Sequence, residues 1–169
     1  DHFAKPSDDL AQAANEKKGW RNFGGFTTGV THDLIGIGPT ATSAIGDSFF
    51  QNAYGIKEYY QAIDEGQFPI VQGYEMNTDD AIRRDIIFSI LCDSSLDYKP
   101  IESKFGISFE DYFSGEIANL AKLEQDGILE FNGDSFHLTS AGRFFGRHVA
   151  KVFDGFLQKA GNVYKITGP

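Results

Sequence analysis

The stretch ILEFNGDSFHLT, which runs from Ile128 to Thr139, decides the fold predicted for the second half of the chain. Two apolar segments in it flank the tripeptide Asn132-Gly133-Asp134. A glycine-containing turn between two short apolar runs predicts a β-hairpin, because glycine adopts the left-handed conformation that tight turns require. We therefore expect one strand at residues 128–131 and a second at residues 136–139.

Helices are predicted on both sides of this hairpin from capping residues, proline placement and apolar spacing. Their expected starts are Asn77 or Thr78, Pro100, Ser108 and, after the hairpin, Thr139 or Ser140. The helix from Ser108 is expected to run unbroken to a stop at Gly127. The last helix is expected to be long, and its predicted core-facing residues are Phe145, Val149, Val152, Phe153 and Phe156. Three helices followed by a hairpin is the order of a winged helix, which we predict for residues 77–140.

The first half of the chain gives weaker patterns. Ser7 is expected to cap a short helix that Gly19 ends. The other predicted elements are a buried strand at Asp33–Gly38, a loop at Pro39–Gln51, an amphipathic helix at Gly55–Gly66 and a connector at Gln67–Met76. The predicted fold class is therefore α+β and mostly helical, and we place a domain boundary between residues 66 and 67.

The charge balance restricts the classes of partner. The formal net charge of the 169-residue chain is −9. Proteins that bind nucleic acid or anionic membranes through charge are normally basic, because neutralising phosphates drives that binding. The predicted helix from Ser108 to Gly127 is itself mostly acidic, so we expect a winged helix used for packing. We predict no nucleic-acid partner and no membrane partner, and no apolar run approaches the ~20 residues of a membrane span.

The single cysteine, Cys92, excludes an internal disulfide. It also excludes a four-iron cluster held by this chain alone, since such a cluster needs three or more thiolates. We expect Cys92 to be a small buried side chain in a reducing compartment, and we predict a cytoplasmic location. None of the four histidines lies at ligand spacing from another histidine or from the cysteine, so no metal site is predicted.

Two features of the residues point weakly to ligands. Gly36-Ile37-Gly38-Pro39-Thr40-Ala41 fits the pattern G-x-G-x-x-A of dinucleotide sites, and a simple tight turn is the alternative. Arg21 lies between aromatic residues, where its guanidinium could grip a carboxylate. The basic residues Arg83 and Arg84, and likewise Arg143 and Arg147, are expected to form surface or interdomain ion pairs of small worth. The residues alone name no reaction.

Short blocks along the whole chain carry a resemblance to one family. They are DHFAKP (residues 1–6), RNFGGFTT (21–28), DLIGIG (33–38), SAIGD (43–47), IRRD (82–85), LDY (96–98), DYF (111–113), DG (126–127), Thr139, AGR (141–143) and FD (153–154). In this order they resemble the C-terminal part of oxygen-independent coproporphyrinogen III oxidases, which are radical S-adenosylmethionine (SAM) enzymes of haem synthesis. The resemblance implies that residues 1–66 are the last elements of a partial β/α barrel and that residues 67–169 are a winged-helix-like covering domain.

The resemblance also implies a chemistry. Enzymes of this family cleave SAM reductively at a 4Fe-4S cluster, and the resulting radical starts the oxidative decarboxylation of two propionates of coproporphyrinogen III to give protoporphyrinogen IX. The family binds two SAM molecules, and its cluster-binding cysteines would lie upstream of this chain. We expect this chain to pack on that N-terminal barrel, and to be inactive and free of iron on its own. The chain begins with Asp1 rather than Met, which suggests a longer protein.

Four residues are carried over as cofactor-binding candidates. Thr42 occupies the position of an Ile that lines the family's second SAM pocket, and Arg21, Asn22 and Gly24 belong to the nearby RNF block. Gly24 stands where the family usually has Gln. No catalytic residue is expected in this chain. The alternative is a non-catalytic winged-helix module that docks another protein.

Overall fold

The computed structural model describes residues 4–22, 25–28 and 33–159. The helices are α1 (Asp9–Asn15), α2 (Ile56–Asp64), α3 (Thr78–Asp93), α4 (Tyr98–Phe105), α5 (Phe109–Tyr112), α6 (Ser114–Gln125), α7 (Gly146–Ala150) and α8 (Gly155–Lys159). The strands are β1 (Trp20–Asn22), β2 (Gly25–Thr27), β3 (Thr42–Ile45), β4 (Ser48–Asn52), β5 (Ile70–Glu75), β6 (Ser95–Asp97), β7 (Leu129–Phe131) and β8 (Ser135–Leu138). The mixed helix-and-sheet class predicted from the sequence is confirmed.

The main hydrophobic cluster of the described residues is formed by side chains between Ile82 and Phe153. Its most deeply buried side chains are Ile82, Ile86, Ile90, Leu96, Phe109, Phe113, Leu120, Leu129, Phe136, Val149 and Phe153. Rings stack within it, and Tyr98 lies face to face with Phe109 at a centroid distance of 4.0 Å. Since burial of each such side chain contributes roughly 1.5–3 kcal/mol, this cluster holds α3 to α7 and the last three strands together.

The predicted hairpin is confirmed. Strand β7 pairs antiparallel with β8, and Gly133 in the turn has the positive φ of 58° that explains the glycine. A third strand, β6, completes the sheet in the order β6-β8-β7 and was not expected. Its three residues are too few to show a period of two, so only its pairing with β8 defines it as a strand.

The caps of α3 and α4 follow the sequence closely. Asn77 caps α3, and its side chain and that of Asp80 each accept the other residue's backbone N–H in a capping box. Helix α4 begins at Tyr98, two residues before the predicted Pro100, because the Asp97 side chain caps it by accepting the N–H of Lys99. It ends as expected at Gly106, which has a left-handed conformation.

The helix predicted from Ser108 to Gly127 is broken in two. Helices α5 and α6 meet at Phe113, whose φ of −111° is not helical and whose side chain is fully buried. Burial of this ring against Phe109 and Phe153 outweighs the continuity of the helix. The predicted stop at Gly127 is confirmed by its φ of 69°.

The prediction of one long last helix was also wrong. Short 3₁₀ turns at Gly142–Phe145 and Lys151–Phe153 separate α7 and α8. Thr139 caps this segment as predicted, since its Oγ1 accepts the N–H of Gly142 at 2.9 Å. Val149 and Phe153 are buried as predicted. Phe145 and Phe156 are more than half exposed, because the segment is not one continuous helix.

The first half contains a second sheet where a loop and a connector were predicted. Strands β3, β4 and β5 form an antiparallel sheet in that order. Strand β5 is exposed along its whole length and β3 is mostly half-buried, so neither shows the apolar alternation that identifies strands. The predicted boundary after residue 66 falls between α2 and β5, and the sheet therefore continues beyond it.

Two further expectations for the first half need correction. Helix α1 is capped by Asp8 rather than by Ser7, and it ends at Asn15, with a left-handed Lys17 before Gly19. The segment at residues 33–38 is not a buried strand. Leu34 forms a single bridge to Ala44, while Ile35 and Ile37 are 72% and 87% exposed. Helix α2 forms where predicted, but its apolar side also faces solvent.

Candidate functional site

The two glycines of the G-x-G pattern are held by side chains from the neighbouring sheet. Asn52, which is buried, donates from Nδ2 to the carbonyl oxygens of Gly36 and Gly38 at 3.2 and 3.0 Å. A Cβ on Gly36 would lie 2.7 Å from the carbonyl oxygen of Thr42, so the close approach of two backbones requires glycine there.

Most amides of this loop already donate hydrogen bonds within the chain. The N–H of Gly36 donates to Ser43 Oγ, and the N–H of Gly38 donates to the hydroxyl of Tyr59. The N–H of Thr40 donates to the carbonyl of Ala53. A phosphate cradle needs unpaired amides that converge on the ligand. The geometry therefore favours the tight-turn alternative over a dinucleotide site.

The predicted cofactor residues lie on two separate sheets. Thr42 begins β3, pairs with Gln51 and has a half-buried side chain. Arg21 is in β1, where its guanidinium lies 5.1 Å from the ring centroid of Phe26. The backbone of Asn22 is paired with Gly25, and Gly24 lies outside the described residues. Within the described residues no hydrogen bond or ion pair joins Arg21 to Thr42, and their strands belong to different sheets.

A groove of about 580 Å³ lies where the β1–β2 hairpin packs on α3. Trp20 stacks on Phe88 of α3 at 4.5 Å in its wall. The basic side chains of Arg84 and Lys104 both contact Asp85, so the groove carries little uncompensated positive charge.

Cys92 also lines this groove. Its burial raises the pKa of the thiol to about 11, and the nearby carboxylate of Asp93 adds to the effect. The thiol therefore stays protonated near neutral pH, whereas iron is ligated by thiolate. With one protonated cysteine and no metal-binding cluster among the residues that the structure describes, this chain does not fit an iron–sulfur cluster.

The most connected polar group is Arg83, which sequence reasoning had treated as a minor surface cation. Its Nε donates to both carboxylate oxygens of Asp79, and its Nη1 donates to Glu116 and to the carbonyl of Phe153. Burial alone would lower the pKa of this guanidinium, but the hydrogen bonds to Asp79 and Glu116 reverse the sign and raise it. The sequence signal for this role is the spacing of Asp79 and Arg83, which lie four residues apart and therefore face each other on one helix.

Two tyrosines extend this network towards the other half of the chain. The hydroxyl of Tyr112 donates to Asp79 at 3.0 Å, and the hydroxyl of Tyr74 on β5 donates to Asp80. Each of these hydrogen bonds raises the pKa of its tyrosine, although burial is the larger cause for Tyr112. The N-terminus of α3 thus joins the β3–β5 sheet to the helical core.

Comparisons with known proteins find relatives that match both halves of the chain. The profile of the family described as HemN C-terminal domain matches residues 76–145. The chain is 39% identical to an oxygen-independent coproporphyrinogen III oxidase of Escherichia coli (strain K12) over 99% of this chain and 36% of that protein. It is 41% identical to the protein of the same name from Synechocystis sp. over 94% of this chain and 35% of that protein.

A solved structure agrees with these sequence comparisons. The Escherichia coli coproporphyrinogen III oxidase (HemN), described as a radical SAM enzyme, superposes with a TM-score of 0.89 at 41% identity. The match covers 93% of this chain and 36% of that chain. The chain therefore spans little more than a third of the length of these relatives. No helix in the part of the chain that the structure describes is long and apolar enough to cross a membrane.

Proposed function

We propose a function on one premise: this chain belongs to the family of oxygen-independent coproporphyrinogen III oxidases, whose C-terminal domain matches residues 76–145. The chain would be the C-terminal part of a cytoplasmic radical SAM enzyme. That enzyme would decarboxylate two propionates of coproporphyrinogen III oxidatively and yield protoporphyrinogen IX in anaerobic haem synthesis. The observation that carries this proposal is 39% identity to the Escherichia coli enzyme across 99% of this chain.

In this proposal the chain encloses a site and does not carry out the redox step. The cluster would be held by cysteines outside this chain. Cys92 is the one cysteine in the sequence, and its raised pKa keeps the thiol protonated near neutral pH. SAM would contact Thr42, with Arg21, Asn22 and Gly24 in the adjacent hairpin segment. These assignments rest on the family resemblance, and the half-buried position of Thr42 at the start of β3 is compatible with a pocket wall.

The first half of the chain would be the end of a partial β/α barrel. Support comes from exposed apolar side chains that are costly to leave in water, above all Ile35 and Ile37. The apolar side of α2, with Ile56 and Tyr60, adds to this surface. We propose that the remainder of the barrel covers it, and that the domain boundary lies close to Asn77 rather than at residue 66, because β5 pairs with β4 in the β3–β4–β5 sheet.

The second half would be a winged-helix-like covering domain. The sheet order β6-β8-β7, with α3, α4 and α6 packed around it, supports this interpretation. The exposed acidic residues of α5 and α6, Glu110, Asp111 and Glu124, support a packing role over binding to nucleic acid. Titration with duplex DNA at low salt is expected to give no binding.

The test uses the full-length enzyme and this chain side by side. Under anaerobic conditions with SAM, a reductant and coproporphyrinogen III, the full-length protein is expected to release carbon dioxide and form protoporphyrinogen IX. This chain alone is expected to contain no iron and to turn nothing over. A full-length protein with a reconstituted cluster that cleaves SAM without decarboxylating the substrate would contradict the proposal.

The packing of the two parts is tested by one substitution. Ile37→Asp in the full-length protein places a charge on the apolar surface and is expected to reduce turnover and lower the midpoint of thermal unfolding. Lys57→Asp, on the exposed polar side of α2, is the matched control and is expected to change neither. Equal behaviour of the two variants would rule out this surface as the barrel contact.

A further inference from the structure

A shallow groove lies on the opposite side of α3 from Cys92, between that helix and the segment of residues 144–157. Its volume is about 530 Å³, within the range of small-molecule sites. Its lining includes the apolar residues Ile87, Leu91, Phe144 and Phe145, the basic residues Arg147 and Lys151, and one acidic residue, Asp154. We call it the Phe144 groove.

The aromatic wall of the Phe144 groove is exposed to solvent. Phe144 is 90% exposed and Phe145 is 52% exposed, while Ile87 and Leu91 form the floor, packed against the core. Adjacent exposed phenylalanines above an apolar floor are unusual on a protein surface and typically mark a binding site. Phe145 was predicted to be buried by a continuous last helix. It is exposed beside Phe144 because the segment is broken into a 3₁₀ turn and a short helix.

The rim of the Phe144 groove is positive on an acidic protein. Arg147 and Lys151 line the groove together with one carboxylate, Asp154, although the whole chain has a formal net charge of −9. Within the described residues neither Arg143 nor Arg147 has a carboxylate at ion-pair distance. Asp154 also lines the groove, and its Oδ1 accepts the backbone N–H groups of Phe156 and Leu157. Its single negative charge offsets only part of the positive charge of Arg147 and Lys151.

We infer that the Phe144 groove binds an amphipathic polycarboxylate with a large apolar body, and, on the strength of the proposed function, that this ligand is the tetrapyrrole substrate. The rings of Phe144 and Phe145 offer faces for pyrrole rings to pack on. The guanidinium of Arg147 is suited to bidentate recognition of a propionate carboxylate. The groove is a docking surface for the macrocycle, separate from the residues assigned to SAM.

The binding test uses coproporphyrin III, the oxidised fluorescent form of the substrate, titrated against this chain in the dark. Saturable binding is expected for the wild type. Arg147→Glu is expected to weaken it about ten-fold or more, because it replaces a charge-assisted hydrogen bond by repulsion. Phe144→Ser is expected to weaken it to a similar degree, and it will not unfold the chain because that ring is already exposed.

The matched control is Lys122→Glu, which makes the same change of charge at an exposed position on α6. Its affinity is expected to stay within about two-fold of the wild type, because a single distant surface charge is screened by salt. The inference is overturned by a flat titration, by unchanged affinity in Arg147→Glu or Phe144→Ser, or by an equal loss in the control. Binding of phosphatidylglycerol vesicles without binding of the porphyrin would assign the groove to a lipid surface and overturn it as well.

Failure of the groove assignment can be distinguished from failure of the proposed function, since porphyrin binding is measured without SAM, iron or turnover. In the full-length enzyme, Arg147→Glu is expected to raise KM for coproporphyrinogen III about ten-fold while SAM cleavage without substrate is unchanged. A KM equal to that of the wild type in an active enzyme would overturn the groove assignment and leave the enzyme assignment intact.

Discussion

Arg83 Nη1 donates a hydrogen bond of 3.0 Å to Oε1 of Glu116, a residue 33 positions away on another helix. The two side chains are 15% and 11% exposed, so this ion pair is largely shielded from water. The same guanidinium also donates to Asp79 on its own helix and to the carbonyl of Phe153. One side chain thus ties the start of α3 to α6 and to the turn that ends at Phe153.

Arg83→Met is expected to destabilise the fold by about 3–5 kcal/mol, because it leaves two partly buried carboxylates without their cation. Chemical denaturation followed by circular dichroism measures this change in the free energy of unfolding. Arg84→Met is the control, since the polar contacts of Arg84 among the described residues are with Asp85 and Met76, and it is expected to cost less than about 1 kcal/mol. Similar costs for the two variants would show that the network does not stabilise the core.

Gly142→Ala is expected to destabilise the protein by about 3 kcal/mol. A Cβ at this position would overlap the backbone carbonyl of Ile128, and neither the turn nor the start of the hairpin strand can move without disturbing the core. Thermal unfolding monitored by circular dichroism detects the loss.

Gly115→Ala is the matched control for this substitution. Gly115 lies on an exposed part of α6 with open space around it, so a methyl group there is expected to stabilise the helix by about 0.5–1 kcal/mol. If both alanine variants changed stability in the same direction, the close packing of Gly142 on Ile128 would not be the cause.

The second half of the fold was predictable because its signals are local. Asn77, Gly106, Gly127 and Gly133 mark the ends of helices and the hairpin turn, and the structure has each in the expected role. The break at Phe113 was not predictable, since it results from burial of that ring against residues distant in sequence.

The first half and the site were less predictable for a related reason. Strands β3 to β5 are half-buried or exposed, so their sequences lack a clear buried face. The role of Arg83 depends on Glu116, which is distant in sequence. Thr42 was predicted from the family resemblance and Arg21 also from its aromatic neighbours, and neither signal states how the two segments are arranged. The exposure of Phe144 is not predicted from the sequence, because the sequence favours a continuous last helix.

Alkaline pH is expected to destabilise the protein in two overlapping steps. Burial raises the pKa of Cys92 from 9.0 to about 11 and that of Tyr98 from 10.0 to about 12. Each group keeps its proton longer in the folded state than in the unfolded state, so its stabilising effect is complete at low pH and is lost as pH rises through the raised pKa. Unfolding midpoints in urea between pH 8 and pH 12 are expected to fall.

Variants separate the two groups. Cys92→Ser is expected to flatten the fall between about pH 9 and pH 11, and Tyr98→Phe is expected to flatten the part between about pH 10 and pH 12. The same burial predicts slow alkylation of Cys92 by iodoacetamide at pH 8 in the folded chain compared with the chain in urea. Rapid alkylation in the folded state would contradict a raised pKa for this thiol.

Thr42→Trp in the full-length enzyme is expected to reduce bound SAM by one molecule per protein. Thr42 is half-buried at the start of β3, and an indole in its place would fill space that the family resemblance assigns to the second SAM. Equilibrium dialysis with labelled SAM counts the bound molecules. Ile45→Trp is the control, because side chains alternate along a strand and Ile45 lies on the opposite face from Thr42 in an exposed position. Unchanged stoichiometry in Thr42→Trp, or an equal loss in both variants, would exclude Thr42 from the lining of that pocket.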